Sequence, residues 1–170
     1  RPNYKKRYPS DIETALILSS NYASDGDYNG AIENLEKIER HLDVLGLKEE
    51  TLLDCKSEIS FQKFIYYAHN QMENEAEKVL LENIRLNNEI LSFISDTIVH
   101  RQIRSTNAFN QSLHNILFGR YDAASKKLEE LRKIQEKIND PSAMYNYYGL
   151  LGMLELMRGN CHNAIKHFAI

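Results

Sequence analysis

The side chains in this sequence that are best suited to catalysis or metal binding are six histidines and two cysteines. Cys161, His162 and His167 lie closest together, but a helix places residues one, five or six positions apart on different faces. No phosphate-binding loop, nucleophile elbow, zinc-protease motif or dinucleotide-binding glycine motif occurs. The residue types and their spacing therefore predict no catalytic site, no metal site and no cofactor, and we do not expect an enzyme.

The composition predicts a folded domain made of helices. Hydrophobic residues make up 42% of the chain and charged residues 26%, which is ordinary for a globular protein. Only seven glycines and three prolines interrupt the periodic segments, and this favours long helices over many short strands. A net charge of -3 argues against a nucleic-acid surface. We expect nucleic acid to be contacted only through a domain outside this segment.

The same sequence predicts a cytoplasmic location. No apolar run approaches the roughly 18 residues that a membrane span needs, and no signal peptide opens the chain. Cys55 and Cys161 form no CxxC pair, so we expect two buried free thiols in a reducing compartment. Because the chain begins at Arg1 and stops within a predicted helix, we expect a segment of a larger protein. Residues 1–9 are basic and flanked by proline, which is typical of a linker.

The C-terminal stretch predicts two helices around a tight turn. Gly159 can end the first helix in a backbone conformation that other residues avoid. Gly152 and Ala164 are small enough to let the two helices approach closely. Leu151 and Phe168 would then fill the space between them. We expect the alanine of such a pair to be fully buried at the helix crossing.

Three earlier stretches repeat this arrangement, so four stretches in all are each centred on an alanine: Ala31, Ala76, Ala124 and Ala164. The intervals between these alanines are 45, 48 and 40 residues. The second repeat departs from the others. Gln71 stands where the turn glycine is expected, and bulky Phe64 stands at the position that corresponds to Gly152, which we call the small position. Its helix packing should be looser or differently angled. The four predicted repeats span residues 10–46, 47–92, 95–139 and 141–170, and the last of them is incomplete.

This arrangement resembles the tetratricopeptide repeat, a helix-turn-helix element that stacks into a solenoid. The intervals exceed the roughly 34 residues of the standard repeat. Such elongated repeats are similar to those in bacterial regulatory proteins, including peptide-pheromone receptors and transcription regulators. The resemblance implies an all-α fold, a right-handed superhelix of seven or eight antiparallel helices without a sheet (a TPR-like α-solenoid).

The resemblance also implies where a ligand would bind. In that family the first helix of each repeat lines a concave groove, and polar side chains there hold extended peptides. The slots two residues before the small position are Ile17, Gln62, Asn110 and Leu150. Because Ile17 and Leu150 are apolar, a clamp for a terminal carboxylate is not expected. The candidate residues for binding a peptide or partner are Gln62, Tyr66, Asn107, Asn110, His114 and Asn146.

The resemblance leaves two functions open. The first is a protein or peptide interaction module, the sensing or scaffolding segment of a larger bacterial regulator, whose partner is a protein or an extended peptide. The alternative is the regulatory arm of an enzyme, such as a phosphatase, kinase or signalling ATPase, whose catalytic domain lies outside these residues.

The two ends of the domain carry more local expectations. Ser10 and Glu13 have the spacing of a capping box, in which Ser10 is the N-cap of the first helix. At the other end, four apolar residues should lie on the side that a following repeat would cover: Leu150, Met153, Leu154 and Met157. An apolar patch rarely stays bare, so we expect a homodimer through this C-terminal end, most simply with two-fold symmetry.

Overall fold

The computed structural model describes residues 9–138 and 143–169, and all regular secondary structure in these residues is helical. The predicted all-α chain of about eight helices is therefore confirmed for the described residues. The predicted linker lies outside them, apart from Pro9. The helices are α1 (Ser10–Ser24), α2 (Tyr28–His41), α3 (Glu49–His69), α4 (Glu73–Ile90), α5 (Thr97–Leu117), α6 (Tyr121–Glu136), α7 (Ala143–Met157) and α8 (Cys161–Phe168).

Consecutive helices pack in neighbouring pairs: α1 with α2, α3 with α4, α5 with α6, and α7 with α8. The chain divides into two compact units, Arg1–Ile90 and Leu91–Ile170, each of which holds two pairs. Inside the first unit α2 also packs against α3, and inside the second α6 packs against α7. None of the described helices is long and apolar enough to cross a membrane.

The turns inside the four pairs have the same hydrogen-bond pattern. Gly26, Gly119 and Gly159 have positive φ angles of 82°, 72° and 82°, and Gln71 takes the same left-handed conformation with φ 58°. After each of them, the next backbone N–H donates to the carbonyl five residues earlier, as Met72 does to the Tyr67 carbonyl at 2.9 Å. This is the Schellman motif, which satisfies carbonyls at a helix end. Gln71 therefore replaces the turn glycine without changing the turn.

The predicted alanine crossings are confirmed. Ala31, Ala124 and Ala164 are buried, as expected, and so is Ala76. At the α7/α8 crossing, a Cβ added to Gly152 would lie 2.6 Å from a ring carbon of Phe168. The close approach predicted for this pair is therefore present, because a side chain at position 152 would collide with the Phe168 ring in its present position.

Each compact unit has its own apolar core. In the first unit residues from α1, α2 and α3 form one cluster, which includes Ile12, Leu35 and Ile59. In the second unit residues from α5, α6 and α7 form another, which includes Ile116 and Leu131. These clusters hold the first helices of neighbouring repeats in place.

Three local expectations are corrected by the structure. Ser10 is not the N-cap of α1: Pro9 is, and its carbonyl accepts hydrogen bonds from the N–H groups of Ile12 and Glu13, each at 3.0 Å, so no capping side chain is used. Cys55 is buried, but Cys161 is exposed in the first turn of α8. These differences arise because a backbone carbonyl can replace a serine cap and because α8 buries only one face.

The third correction concerns the C-terminal end. Leu150 and Leu154 are not exposed there, because both belong to the core of the second unit, and Met153 is partly buried against it. Met157 is exposed, as predicted. The other large apolar side chains exposed on α7 and α8 are Tyr145, Leu156, Ile165 and Phe168.

Candidate functional site

Two of the candidate binding residues form a hydrogen-bonded row along α3. The Tyr66 hydroxyl donates to the Gln62 side-chain carbonyl at 3.2 Å, and the Gln62 amide donates to the Glu58 carboxylate at 3.4 Å. The three residues are four positions apart, so they lie on one face of the helix. Burial raises the pKa of Tyr66, and the nearby Glu58 charge raises it further. The row therefore holds the Gln62 amide in a defined orientation.

The N-terminus of α2 supports the end of this row. The Tyr28 ring lies 6.4 Å from the Tyr66 ring and stacks on the His69 ring at 5.0 Å. Beside this stack, the Asn70 amide donates to the Asn29 side-chain oxygen at 3.0 Å. Aromatic contacts of this kind stabilise beyond the area that they bury. The position of Tyr66, and through it that of Gln62, is thus set by packing against the preceding helix pair.

Ile17 on α1 lies in the slot that corresponds to Gln62 and is 57% exposed. Its sequence neighbour Leu16 belongs to the same core cluster as Tyr66, so α1 and α3 contact each other inside the first unit. α1 thus offers an exposed aliphatic side chain, and α3 offers a half-buried, oriented amide. Groups of these two kinds can contact the backbone and side chains of a peptide.

Three further candidates lie in consecutive turns of α5. Asn107, Asn110 and His114 are spaced by three and four residues, so they occupy one face of that helix. All three side chains are buried, Asn110 and His114 almost fully. The His114 ring lies 4.9 Å from the Phe118 ring. Helical spacing places the three residues on a shared face, but nothing in the sequence indicated that this face is buried.

The last candidate, Asn146, lies on α7 and is exposed beside the exposed Tyr145. The structure thus brings the candidates together in two groups, Gln62 with Tyr66 in the first unit and the three α5 residues in the second. It does not place Asn146 in either group. His100, one turn before Arg104, binds the Ile94 carbonyl through Nε2 at 2.6 Å and so holds the segment before α5.

A surface that the sequence interpretation missed runs along α4. It is a shallow groove of about 640 Å³, and its lining residues are Asn74, Glu77, Lys78, Leu81, Glu82 and Arg85. Leu81 is 61% exposed. Arg85 is already paired with Glu82 and Glu89 in the same helix. A leucine between charged neighbours on an outer helical face was the signal for this groove in the sequence.

The charged outer face of α6 is neutralised by pairs within the helix. Arg132 donates to Glu129 at 2.8 Å and also pairs with Glu136, while Lys133 lies 3.5 Å from Glu129. The hydrogen bond from Arg132 holds the pKa of Glu129 at about 2. All four side chains are substantially exposed to solvent, so this face is a solvated helix surface.

Among the described residues, no group of three or more histidine, cysteine or acidic side chains is arranged to hold a metal ion. Comparison with known proteins adds no family: no protein-family model matches the chain, and no curated protein is significantly similar to it. In the part of the chain that the structure describes, the geometry defines an all-α arrangement of four helix pairs, each closed by the same turn over a buried alanine.

Proposed function

We propose that this chain is a non-enzymatic module that binds a protein or an extended peptide, and that it serves as the sensing or scaffolding segment of a larger cytoplasmic regulator. The observation that carries the proposal concerns Ile17 and Gln62, which correspond to each other when the repeats are aligned. They occupy corresponding slots on α1 and α3, and both are accessible, one as an apolar contact and one as an oriented amide.

An extended peptide suits such a surface for a physical reason. Its backbone presents N–H and C=O groups at regular spacing, and a glutamine amide can donate to one and accept from another. The Tyr66 hydrogen bond orients the Gln62 amide before binding, which lowers the entropy cost of ordering a long side chain. Ile17 would contribute by covering an apolar side chain of the peptide.

The tetratricopeptide-like arrangement belongs to the same proposal. Shared Schellman turns and buried alanines support a true structural repeat, and repeats of this kind bury their apolar faces by stacking. We propose the right-handed superhelix as the form of that stack. A crystal structure in which consecutive pairs were related by a left-handed rotation would contradict it.

Selection of random peptides displayed on phage against the purified chain tests the binding function. We expect enriched peptides that bind the parent chain and lose at least about tenfold in affinity, or about 1.4 kcal/mol, with Ile17→Asp. Gln62→Ala should also weaken binding. The matched control is Leu81→Asp, an equally exposed aliphatic residue on α4 of the same unit, which should leave affinity unchanged.

The selection can also fail in informative ways. If no peptide is enriched over an unrelated helical protein, the binding function is wrong. If peptides are enriched but Leu81→Asp weakens them as much as Ile17→Asp does, the ligand does not use the α1/α3 surface.

A further inference from the structure

The first turn of α2 contains a pair of residues that can react with each other. Asn29 is followed by Gly30, and no other asparagine in the sequence precedes a glycine. Because glycine has no side chain, its backbone nitrogen is unshielded and can approach the side-chain carbon Cγ of Asn29. The two reacting groups are already adjacent, so the attack is intramolecular and needs no partner. The Asn29 side chain is also exposed, so water can reach it.

The reaction open to this pair is deamidation. The Gly30 nitrogen loses its proton to solvent and bonds to Cγ of Asn29, while the bond between Cγ and Nδ2 breaks and ammonia leaves. The cyclic imide that results is then opened by water. Addition of water at Cγ gives aspartate, and addition at the main-chain carbonyl carbon of Asn29 gives isoaspartate, in which the backbone runs through Cγ. The net change is the exchange of ammonia for water, without oxidation or reduction.

The folded structure restrains both reacting groups. The Gly30 N–H donates to Oδ1 of Asp27, the N-cap of α2, at 2.9 Å, and this bond has to break before the nitrogen can attack. The Asp27 carboxylate also disfavours loss of the Gly30 proton, because the resulting anion would lie beside a negative charge. On the other side, the Asn70 amide donates to the Asn29 side-chain oxygen at 3.0 Å. Attack therefore requires an opening of this turn, and helix ends open at low free energy.

The second helix pair supplies an internal comparison. With the 45-residue offset that relates Ala31 to Ala76, Asn74 falls at the position of Asn29. Asn74 is likewise exposed in the first turn of its helix, α4. It is followed by Glu75, whose side chain shields the backbone nitrogen, and the position of Asp27 is taken by Met72. The two asparagines thus match in place and exposure, but only Asn29 has a reactive neighbour.

From these contacts we propose that Asn29 is a site of spontaneous deamidation, and that the Asp27 cap limits the rate by holding the first turn of α2 closed. The modification is chemical, so no enzyme or cofactor takes part. The proposal is independent of the peptide site proposed above, because no step of it involves Ile17 or Gln62.

The two products have different effects on the contact between α2 and α3. Aspartate at position 29 keeps an oxygen that accepts from Asn70, and a negative charge in the first turn of a helix is favourable. Isoaspartate adds a carbon atom to the backbone of that turn. This displaces the neighbouring Tyr28, whose ring stacks on His69 of α3 at 5.0 Å. Isoaspartate at position 29 therefore weakens the contact between the two helices.

Incubation of the folded chain at mildly alkaline pH, followed by proteolysis and mass spectrometry, tests the proposal. Deamidation is measured as the gain in peptide mass when an amide becomes a carboxyl group. We expect Asn29 to deamidate while Asn74 stays intact. Asp27→Ala should accelerate the reaction at Asn29 about fivefold, because the lost cap lets the turn open more often. Ser57→Ala is the matched control: it weakens the α3/α4 pair of the same unit without touching this turn, so the rate at Asn29 should not change.

The rates also distinguish the alternatives, provided that circular dichroism shows each variant to be folded during the incubation. If Asn29 reacts no faster than Asn74 in the parent chain, Asn29 is not a deamidation site. If Asp27→Ala leaves the rate unchanged, the cap is not the restraint. If Ser57→Ala accelerates the reaction as much as Asp27→Ala does, attack follows global unfolding and the local mechanism is wrong.

Melting temperatures test the effect of the modification. Asn29→Asp should melt like the parent chain. The deamidated fraction, isolated from the parent by ion exchange, contains isoaspartate and should melt at a lower temperature than Asn29→Asp. Equal melting temperatures for these two samples would contradict the expected loss of contact between α2 and α3.

Discussion

The α7/α8 and α3/α4 pairs pack differently at the small position of their first helices. In α7/α8 a glycine, Gly152, lies directly under the Phe168 ring, so the two helices approach closely there. In α3/α4 the corresponding position holds Phe64, which is fully buried. Two turns earlier on α3, polar groups link the two helices: Ser57 donates to the Asn87 side-chain oxygen at 2.7 Å.

The polar bridge of α3/α4 involves both helices. The Asn83 amide donates to the Ser57 carbonyl at 2.8 Å and to its hydroxyl at 3.1 Å, and the Asn87 amide donates to the Asn83 oxygen at 3.3 Å. All three residues are buried. Burying such a network costs free energy of desolvation. Its hydrogen bonds all form only when the two helices pair in one register. The pair with a bulky residue at its small position is thus held together by a buried side-chain network as well as by apolar packing.

The largest expected effect is the difference in unfolding free energy between alanine substitutions at Phe64 and at Phe168. Phe64→Ala should lower the free energy of unfolding by about 3–5 kcal/mol, because it leaves a cavity at a fully buried site. Phe168→Ala should cost much less, since that ring is 56% exposed. Urea denaturation of both variants measures the difference. Equal losses would mean that the two crossings depend on their aromatic residues to the same degree, against our interpretation.

Adding volume at the glycine should be the next largest effect. Gly152→Val should cost about 1–3 kcal/mol by overpacking, because even a Cβ meets the Phe168 ring. Gly149→Ala in the same helix is the control: nothing lies within 4 Å of its added Cβ, so it should stabilise by about 0.5–1 kcal/mol. Thermal melts of both variants give the sign directly. A neutral Gly152→Val would show that the close crossing is not needed.

The polar bridge is tested by Ser57→Ala. The substitution removes a donor to Asn87 and an acceptor for Asn83 in a buried site, and it should cost about 1–3 kcal/mol. Ser24→Ala is the matched control, because that hydroxyl is exposed and bonds only to the Ser20 carbonyl in its own helix. The control should change stability by less than about 0.5 kcal/mol. The polar-bridge interpretation is falsified if the two variants have the same urea midpoint.

The smallest expected effect concerns the turn of α3/α4. Gln71 has a positive φ of 58°, a conformation that costs a residue with a side chain about 1–2 kcal/mol. Gln71→Gly should therefore stabilise the chain by about 1 kcal/mol, and Gly119→Gln should destabilise it by a similar amount. Differential scanning calorimetry on the two variants checks that their melting temperatures move in opposite directions. A lowered melting temperature for Gln71→Gly would show that its side chain contributes a contact larger than the backbone strain.

Much of the fold follows from the sequence alone. The apolar periodicity predicted helices, and four alanines with a turn residue five positions earlier predicted the pairs and their crossings. These features are local: an alanine, a turn and the small residue before it lie within one helix pair, so short-range sterics decide them. Even Gln71, which departs from the glycine pattern, was assigned to the correct turn position.

The tertiary structure alone decided which of the remaining helix faces are covered. Asn107, Asn110 and His114 are polar and were expected at a binding groove, yet they are buried. Leu150 and Leu154 were expected on the surface, yet they are core residues. Leu18 on α1 and Ile165 on α8 are apolar, yet both are exposed. Helical periodicity assigns residues to a face, but only contacts between residues far apart in sequence determine whether that face meets another pair, and this determines its burial.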